Sequence, residues 1–194
     1  MNHTSIPTST QTRPRVGISA CLMGSKVRYN GSHKRNRYCT GVLQAELELI
    51  PVCPEVEAGL GIPRPAIHIR LINGEMRLIH TKDGSMDVTN AIRSVADRRA
   101  ESLGLLSGFI LKRKSPSCGM ERVPVSRADG EPRDRSGMGL FAKRFAELRP
   151  LVPLEEEVRL NDPILRENFL ERVYALHRWY QKESFWICGK HSRS

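Results

Sequence analysis

The sequence predicts an α/β domain with a mostly parallel sheet, helices on both faces and a helical extension at the C-terminus. Three observations carry that expectation. Short apolar runs alternate with amphipathic helical stretches through residues 15–157, which is the order of a layered α/β domain. The runs near 15–20, 49–53 and 105–111 read as buried strands, each followed by a polar loop or a proline stop. From about residue 158 the character changes to one long helical stripe.

Residues 1–14 read as a disordered leader, because Met1 to Thr12 is polar, rich in Ser and Thr, and lacks the apolar centre of a secretory signal. Arg15 to Ala20 is the first strand, with Val16 and Ile18 apolar, and a polar loop runs from Met23 to Asn36. A short helical stretch near Tyr38 to Leu47 precedes the second strand, Leu49 to Cys53, which Pro54 stops. Residues 66–80 alternate around Asn73-Gly74, the usual composition of a tight hairpin turn. Asp87 to Leu103 is an amphipathic helix with Val88, Ile92, Val95 and Leu103 on one face and Gly104 at the left-handed cap position. Leu105 to Leu111 is the third strand, and Lys112 to Gly119 the loop after it. Residues 121–136, basic and interrupted by Gly and Pro, read as a mobile surface loop. A helix over Gly137 to Leu148 and a last strand over Leu151 to Leu154 complete a Rossmann-like pattern. Asp162-Pro163 then starts a helix, since Asp caps and Pro is preorganised for a first turn. Leu165, Phe169, Val173, Leu176 and Tyr180 form its stripe, and Phe185, Trp186 and Ile187 are poorly suited to exposure.

The chain of 194 residues is 39% hydrophobic and 27% charged, enough for an ordinary core in water. No apolar run approaches the roughly 20 residues of a membrane span, and the expected location is the cytoplasm. Net charge is +10, from 31 basic against 21 acidic residues, and the sequence pI is about 9.8. That balance favours a polyanionic partner, nucleic acid above all, although a basic enzyme with no such partner has the same composition.

Five cysteines, an odd number widely scattered, argue against a disulfide framework and for metal or thiol chemistry. Cys21, Cys53 and Cys118 each fall at or just beyond the end of a predicted strand. In open parallel sheets the loops after the strand ends converge on one crevice, so these three thiols can meet in space. Thiolate-rich sites suit iron–sulfur clusters or zinc, and a missing fourth protein ligand leaves an iron open to substrate. None of the pairs forms a Cys-x-x-Cys, and buried cysteines also pack as small hydrophobes, so spacing alone leaves both readings open. Cys39 and Cys188 read as packing or incidental residues. His33 is the one histidine in a loop able to approach the crevice. The glycine runs at 59–61 and 137–139 lack the strand–turn–helix setting of a phosphate site.

The segments Ser19-Ala20-Cys21-Leu22-Met23-Gly24, Val27-Arg28-Tyr29-Asn30-Gly31, Pro51-Val52-Cys53-Pro54-Glu55 and Ser115-Pro116-Ser117-Cys118-Gly119 resemble, in order, those of the thiouracil desulfidase family. The resemblance implies a [4Fe–4S] cluster on three cysteines, here Cys21, Cys53 and Cys118, with one open iron that takes the sulfur of a thiolated pyrimidine. Replacing C=S by C=O needs a thiophilic acid, a base to activate water and a proton donor. Glu55, two residues after a cluster cysteine, is the candidate acid/base, and Ser115 the hydroxyl that orients substrate or water. Both also read as a capping carboxylate and a turn hydroxyl. Ser117 reads as structural, and Lys112 as a charge offset for the cluster or a solvated lysine.

The segments Arg159 to Pro163, Arg166 to Phe169 and Arg172 to Tyr174 are similar to the junction in longer family members, where a second, RNA-associated helical domain follows. This implies desulfuration of 4-thiouridine in transfer RNA, with residues 158–194 as the first helix of a truncated second domain. Basic clusters at Lys34, Arg35 and Arg37, at Arg98 and Arg99, and over Lys112 to Lys114 suit phosphate contacts. The alternative is a desulfidase of free 2- or 4-thiouracil or thionucleosides. From other classes, a zinc deaminase needs a His-x-Glu and a Pro-Cys-x-x-Cys that are absent, and a non-enzymatic RNA-binding module has no use for three cysteines at strand ends.

Overall fold

A computed structural model describes residues 12–81 and 86–190, without the side chains of Arg133 and of residues 184–190. Most of the expected leader, the side chains of Phe185, Trp186 and Ile187, and that of Cys188 therefore lie outside the described residues. Strands β1 (Arg15–Ser19), β2 (Glu48–Val52), β3 (Ile67–Ile72), β4 (Glu75–His80), β5 (Gly108–Leu111), β6 (Val123–Ser126), β7 (Pro132–Gly137) and β8 (Leu154–Glu156) form two four-stranded sheets. The helices are α1 (Gln44–Glu46, running on from a wide turn at Cys39–Leu43), α2 (Pro54–Glu57), α3 (Thr89–Ser102), α4 (Leu140–Leu148) and α5 (Pro163–Lys190).

The first sheet, ordered β2-β1-β5-β8, is parallel throughout. Its central strands are buried on both faces, as parallel strands sandwiched by helices are. Gly17 of β1 stands beside Phe109 of β5, and a Cβ there would meet the Phe109 ring at 2.7 Å. The absent side chain admits the ring, which packs edge-on against Phe141 and Phe145 of α4 at 5.7 and 5.2 Å between centroids. On the opposite face a Cβ at Gly108 would meet Val173 at 2.6 Å and Phe169 at 3.2 Å. Here α5 lies directly on the sheet. Phe169 and Val173 are buried in a second core with Val16, Ile18, Ile110, Leu43 and Leu47, each contributing about 1.5–3 kcal/mol by burial. The expected helices on both faces are thus observed, and the long C-terminal helix supplies one of them.

Two expectations need correction. Residues 121–136 are not a mobile loop, because β6 and β7 pair antiparallel there and β6 runs parallel to β3. Val123 and Val125 alternate into the core while Pro124 faces out, a period-two pattern hidden by its basic and proline-rich flanks. They join the hairpin β3–β4 in a second, mixed sheet, ordered β4-β3-β6-β7. A second sheet is an addition to the single, mostly parallel one that the sequence predicts. The last strand also begins at Leu154 rather than Leu151 and runs into glutamates.

Local signals held elsewhere. Asn73 and Gly74 both have positive φ, 50° and 81°, as a two-residue hairpin turn of this kind requires. Gly104 follows α3 at φ 55°. The Asp162 carboxylate accepts from the N–H groups of Ile164 and Leu165, capping α5.

Candidate active site

Strands β2, β1 and β5 are neighbours with the same direction, so their carboxyl ends open on one side. The chain leaves β1 through a tight 3-10 turn, Ala20–Met23, which presents Cys21 and ends on the left-handed Gly24. Cys53 leaves β2 in extended conformation, and Pro54 starts α2 immediately after it. The Cys53 thiol points at the Val27 carbonyl, 3.8 Å away. Cys118 sits on the loop beyond β5. All three thiols line one cleft of about 270 Å³, with Arg28, Tyr29, Glu55, Arg64, Lys112 to Pro116 and Ile67 among the other walls.

The Cys118 loop is held from below by α4. The first turn of that helix has no side-chain cap, and its free N–H groups are taken up by the loop: Leu140 donates to the Pro116 carbonyl and Ala142 to the Ser117 carbonyl, both at 3.1 Å. Gly139 allows this approach, since a Cβ there would meet the Ser117 carbonyl carbon and oxygen at 2.5 Å. Inside the loop the Ser115 hydroxyl accepts from the N–H of Ser117 (3.3 Å) and of Cys118 (3.1 Å). It is both a turn hydroxyl and a cleft residue. With two bonds accepted, its own O–H remains to donate.

Glu55 is no simple helix cap. Arg64, buried beside it, donates from Nε (2.9 Å) and Nη2 (2.6 Å) to Oε2, while the Ser117 hydroxyl donates to Oε1 at 2.9 Å. The guanidinium is completed by the Gly61 and Val27 carbonyls at 2.8 and 2.9 Å. Ser117, read as structural, therefore orients the carboxylate. Arg64 escaped the sequence reading; its one available signal was an arginine set between Pro63 and Pro65, where the backbone is stiffened on both sides.

Burial pushes the Cys21 thiol up to about 11, with Cys53 adding and Lys112 opposing. Burial likewise raises Cys53 and lifts Cys118 well above the ordinary range, where a hydrogen bond with Ser19 opposes and the charges of Cys53, Glu55 and Cys21 add. Charge on one thiol thus disfavours charge on the next. Lys112 lines the cleft but is ion-paired with the buried Glu157. Arg28, Arg113 and Lys114 make no ion pair among the described residues and leave positive charge at the rim. His33 stands apart, in a shallow basic hollow with Arg35 and Arg37, and Cys39 is buried in the second core.

A model of the family described as 2-thiouracil desulfurase matches residues 16–157. The chain belongs to the 2-thiouracil desulfurase family. An uncharacterised relative of this family, YbbK of Bacillus subtilis (strain 168), is 32% identical over 154 residues, covering 75% of this chain and 97% of its own. Among solved structures, the [4Fe-4S]-dependent thiouracil desulfidase TudS is similar at a TM-score of 0.60 and 30% identity, covering 80% of this chain and 99% of that one. The matched desulfurase region contains all three cleft cysteines and ends before α5. No helix among the described residues is long and apolar enough to cross a membrane.

Proposed function

We propose that this chain is a desulfidase, converting a thiolated pyrimidine and water to the oxygenated pyrimidine and hydrogen sulfide, with a [4Fe–4S] cluster held by Cys21, Cys53 and Cys118. The observation that carries the reading is the convergence of three thiols from three adjacent strand ends on one cleft. The donor set fits such a group. Glu55, the carboxylate that lines the cleft, is engaged by Arg64 and Ser117, and Lys112 by Glu157 outside the lining, so the three thiols are the soft donors at hand. Among the described residues no three His, Cys, Asp or Glu side chains gather closely enough for a single metal ion. Thiols spread around a cavity suit a cluster, in which separate irons each take a thiolate.

Bound there, the cluster supplies a thiophilic Lewis acid for the departing sulfur, with no net redox change. The rest falls to the chain. Arg64 and Ser117 fix Glu55 from two sides, and Oε1, which accepts from Ser117, has capacity left to take a proton from water. Ser115 offers its O–H to the substrate ring or to the attacking water. The basic rim offsets the negative charge that three thiolates and a cluster bring into a desolvated site.

The relatives favour a small thiouracil as substrate. Thiolated transfer RNA is the second reading, on the observation that Arg28, Arg113 and Lys114 ring the cleft mouth in a chain of net charge +10. The deciding experiment is anaerobic reconstitution, followed by turnover of 2-thiouracil, 4-thiouracil, 4-thiouridine and thiolated transfer RNA at low and high salt. Brown protein absorbing near roughly 400 nm, with salt-independent turnover of the small compounds, is the expected result. RNA turnover that falls steeply with salt, through counterion release, adds the second reading. Protein that takes up no iron and sulfide rules out both.

A further inference from the structure

Strand β8 ends in Glu155 and Glu156, Glu157 follows directly, and the three are 6%, 1% and 5% exposed in a strongly basic chain. Their side chains reach three different sets of partners. Each has a separate commitment. Glu157 accepts from the Arg113 N–H at 2.8 Å with Oε2 and pairs its Oε1 with the Lys112 ammonium. Glu156 accepts from the N–H groups of Met120 (2.9 Å) and Glu121 (3.4 Å), both with Oε1. Glu155 holds Arg159 at 2.6 Å, and Arg159 reaches on to the Glu121 carboxylate at 3.2 Å. Lys112 and Arg113 open the loop that carries Ser115 and Cys118; Met120 and Glu121 close it.

We propose that Glu156 and Glu157 are positioning residues that clamp the two ends of this loop and thereby present Cys118 and Ser115 to the cleft. The proposal rests on the desulfidase reading only for its consequence in the loaded enzyme; the clamp itself is a property of the chain. Strand pairing stops at Leu111 and resumes at Val123, so the ends rest on side chains: these two carboxylates, the Ser19 hydroxyl, which accepts from the Lys112 N–H at 3.0 Å, and Arg159 on Glu121. Two positive-φ residues that are not glycine, Lys114 at 60° and Arg122 at 52°, lie within or next to it. Such conformations persist when the surroundings over-determine them, and the carboxylates provide that constraint.

The two glutamates differ in a way that makes the proposal testable. Glu156 uses one oxygen for both bonds, so a glutamine can keep them. Glu157 uses both oxygens for donors, so a glutamine must turn an N–H₂ toward Arg113 or Lys112. Hydrogen exchange of the cluster-free full chain is measured first, for wild type, Glu156→Gln, Glu156→Ala and Glu157→Gln. Exchange over residues 112–121 is expected to rise about tenfold in Glu156→Ala and Glu157→Gln, to stay within about twofold of wild type in Glu156→Gln, and to leave β1 and β2 unchanged. Cluster loss to a ferrous chelator, followed by absorbance, is expected to keep the same order. Unchanged exchange in Glu156→Ala and Glu157→Gln overturns the clamp, as does a Glu156→Gln variant as loose as Glu156→Ala. If the wild type takes up no cluster while the exchange order holds, the desulfidase reading fails and the clamp stands.

Discussion

The carboxyl edge of the parallel sheet and the core on its second face both hold buried thiols. Burial pushes Cys39 up to about 12, with Glu157 adding, much as it raises Cys21 to about 11. Desolvation is therefore common to both regions and says nothing of use. The difference lies in the company. Cys39 is packed among Leu22, Leu43 and Leu47, whereas Cys21, Cys53 and Cys118 act on one another around an open cleft with arginines and lysines at its rim. On the proposed reading, a thiol serves as a ligand by standing where other strand ends also deliver thiols.

The largest effect that follows is loss of the cluster. Cys21→Ser, Cys53→Ser or Cys118→Ser should each abolish cluster binding and turnover, while Cys39→Ser keeps both; iron and sulfide assays on the four variants read this directly. Full occupancy in any of the first three removes that residue from the ligand set. Next comes Glu55→Gln, which should keep the cluster and lose about 100-fold or more in kcat, since an amide is no general base. A wild-type rate there would move the base elsewhere. Arg64→Leu should cost about 3–5 kcal/mol of stability by leaving a carboxylate unpaired in a largely buried position, seen as a lowered denaturant midpoint, and should slow turnover as well. Ser115→Ala should be the mildest, about tenfold in kcat with the cluster retained, since the loop that loses the bonds from the Ser117 and Cys118 N–H groups is still held by the first turn of α4.

Much of this could be read from the residues because the signals are local. Val16 and Ile18, the Asn73-Gly74 turn, Gly104 and Asp162-Pro163 each act within a few positions, and each appears in the structure where expected. That Cys21, Cys53 and Cys118 can meet follows from a parallel sheet sending its strand ends to one edge, whereas their choice as ligands came from the family resemblance. What stayed hidden depends on partners distant in sequence. Val123 and Val125 become a strand only beside β3, and glutamates read as surface residues until the loop from Lys112 to Glu121 closes over them. Arg64 acquires its meaning from Glu55 and the Val27 carbonyl, neither of which is adjacent to it.

The close approach of α5 at Gly108 bears on how this protein should be handled at the bench. The region that matches the family ends at residue 157, an inviting place to shorten the gene. Cutting there strips away Phe169 and Val173 and wets the apolar side of β1 and β5 that they cover. Such a product keeps every cleft residue and still presents a sticky surface, prone to self-association and precipitation. Low yield in a trimmed version therefore reports first on the uncovered apolar face.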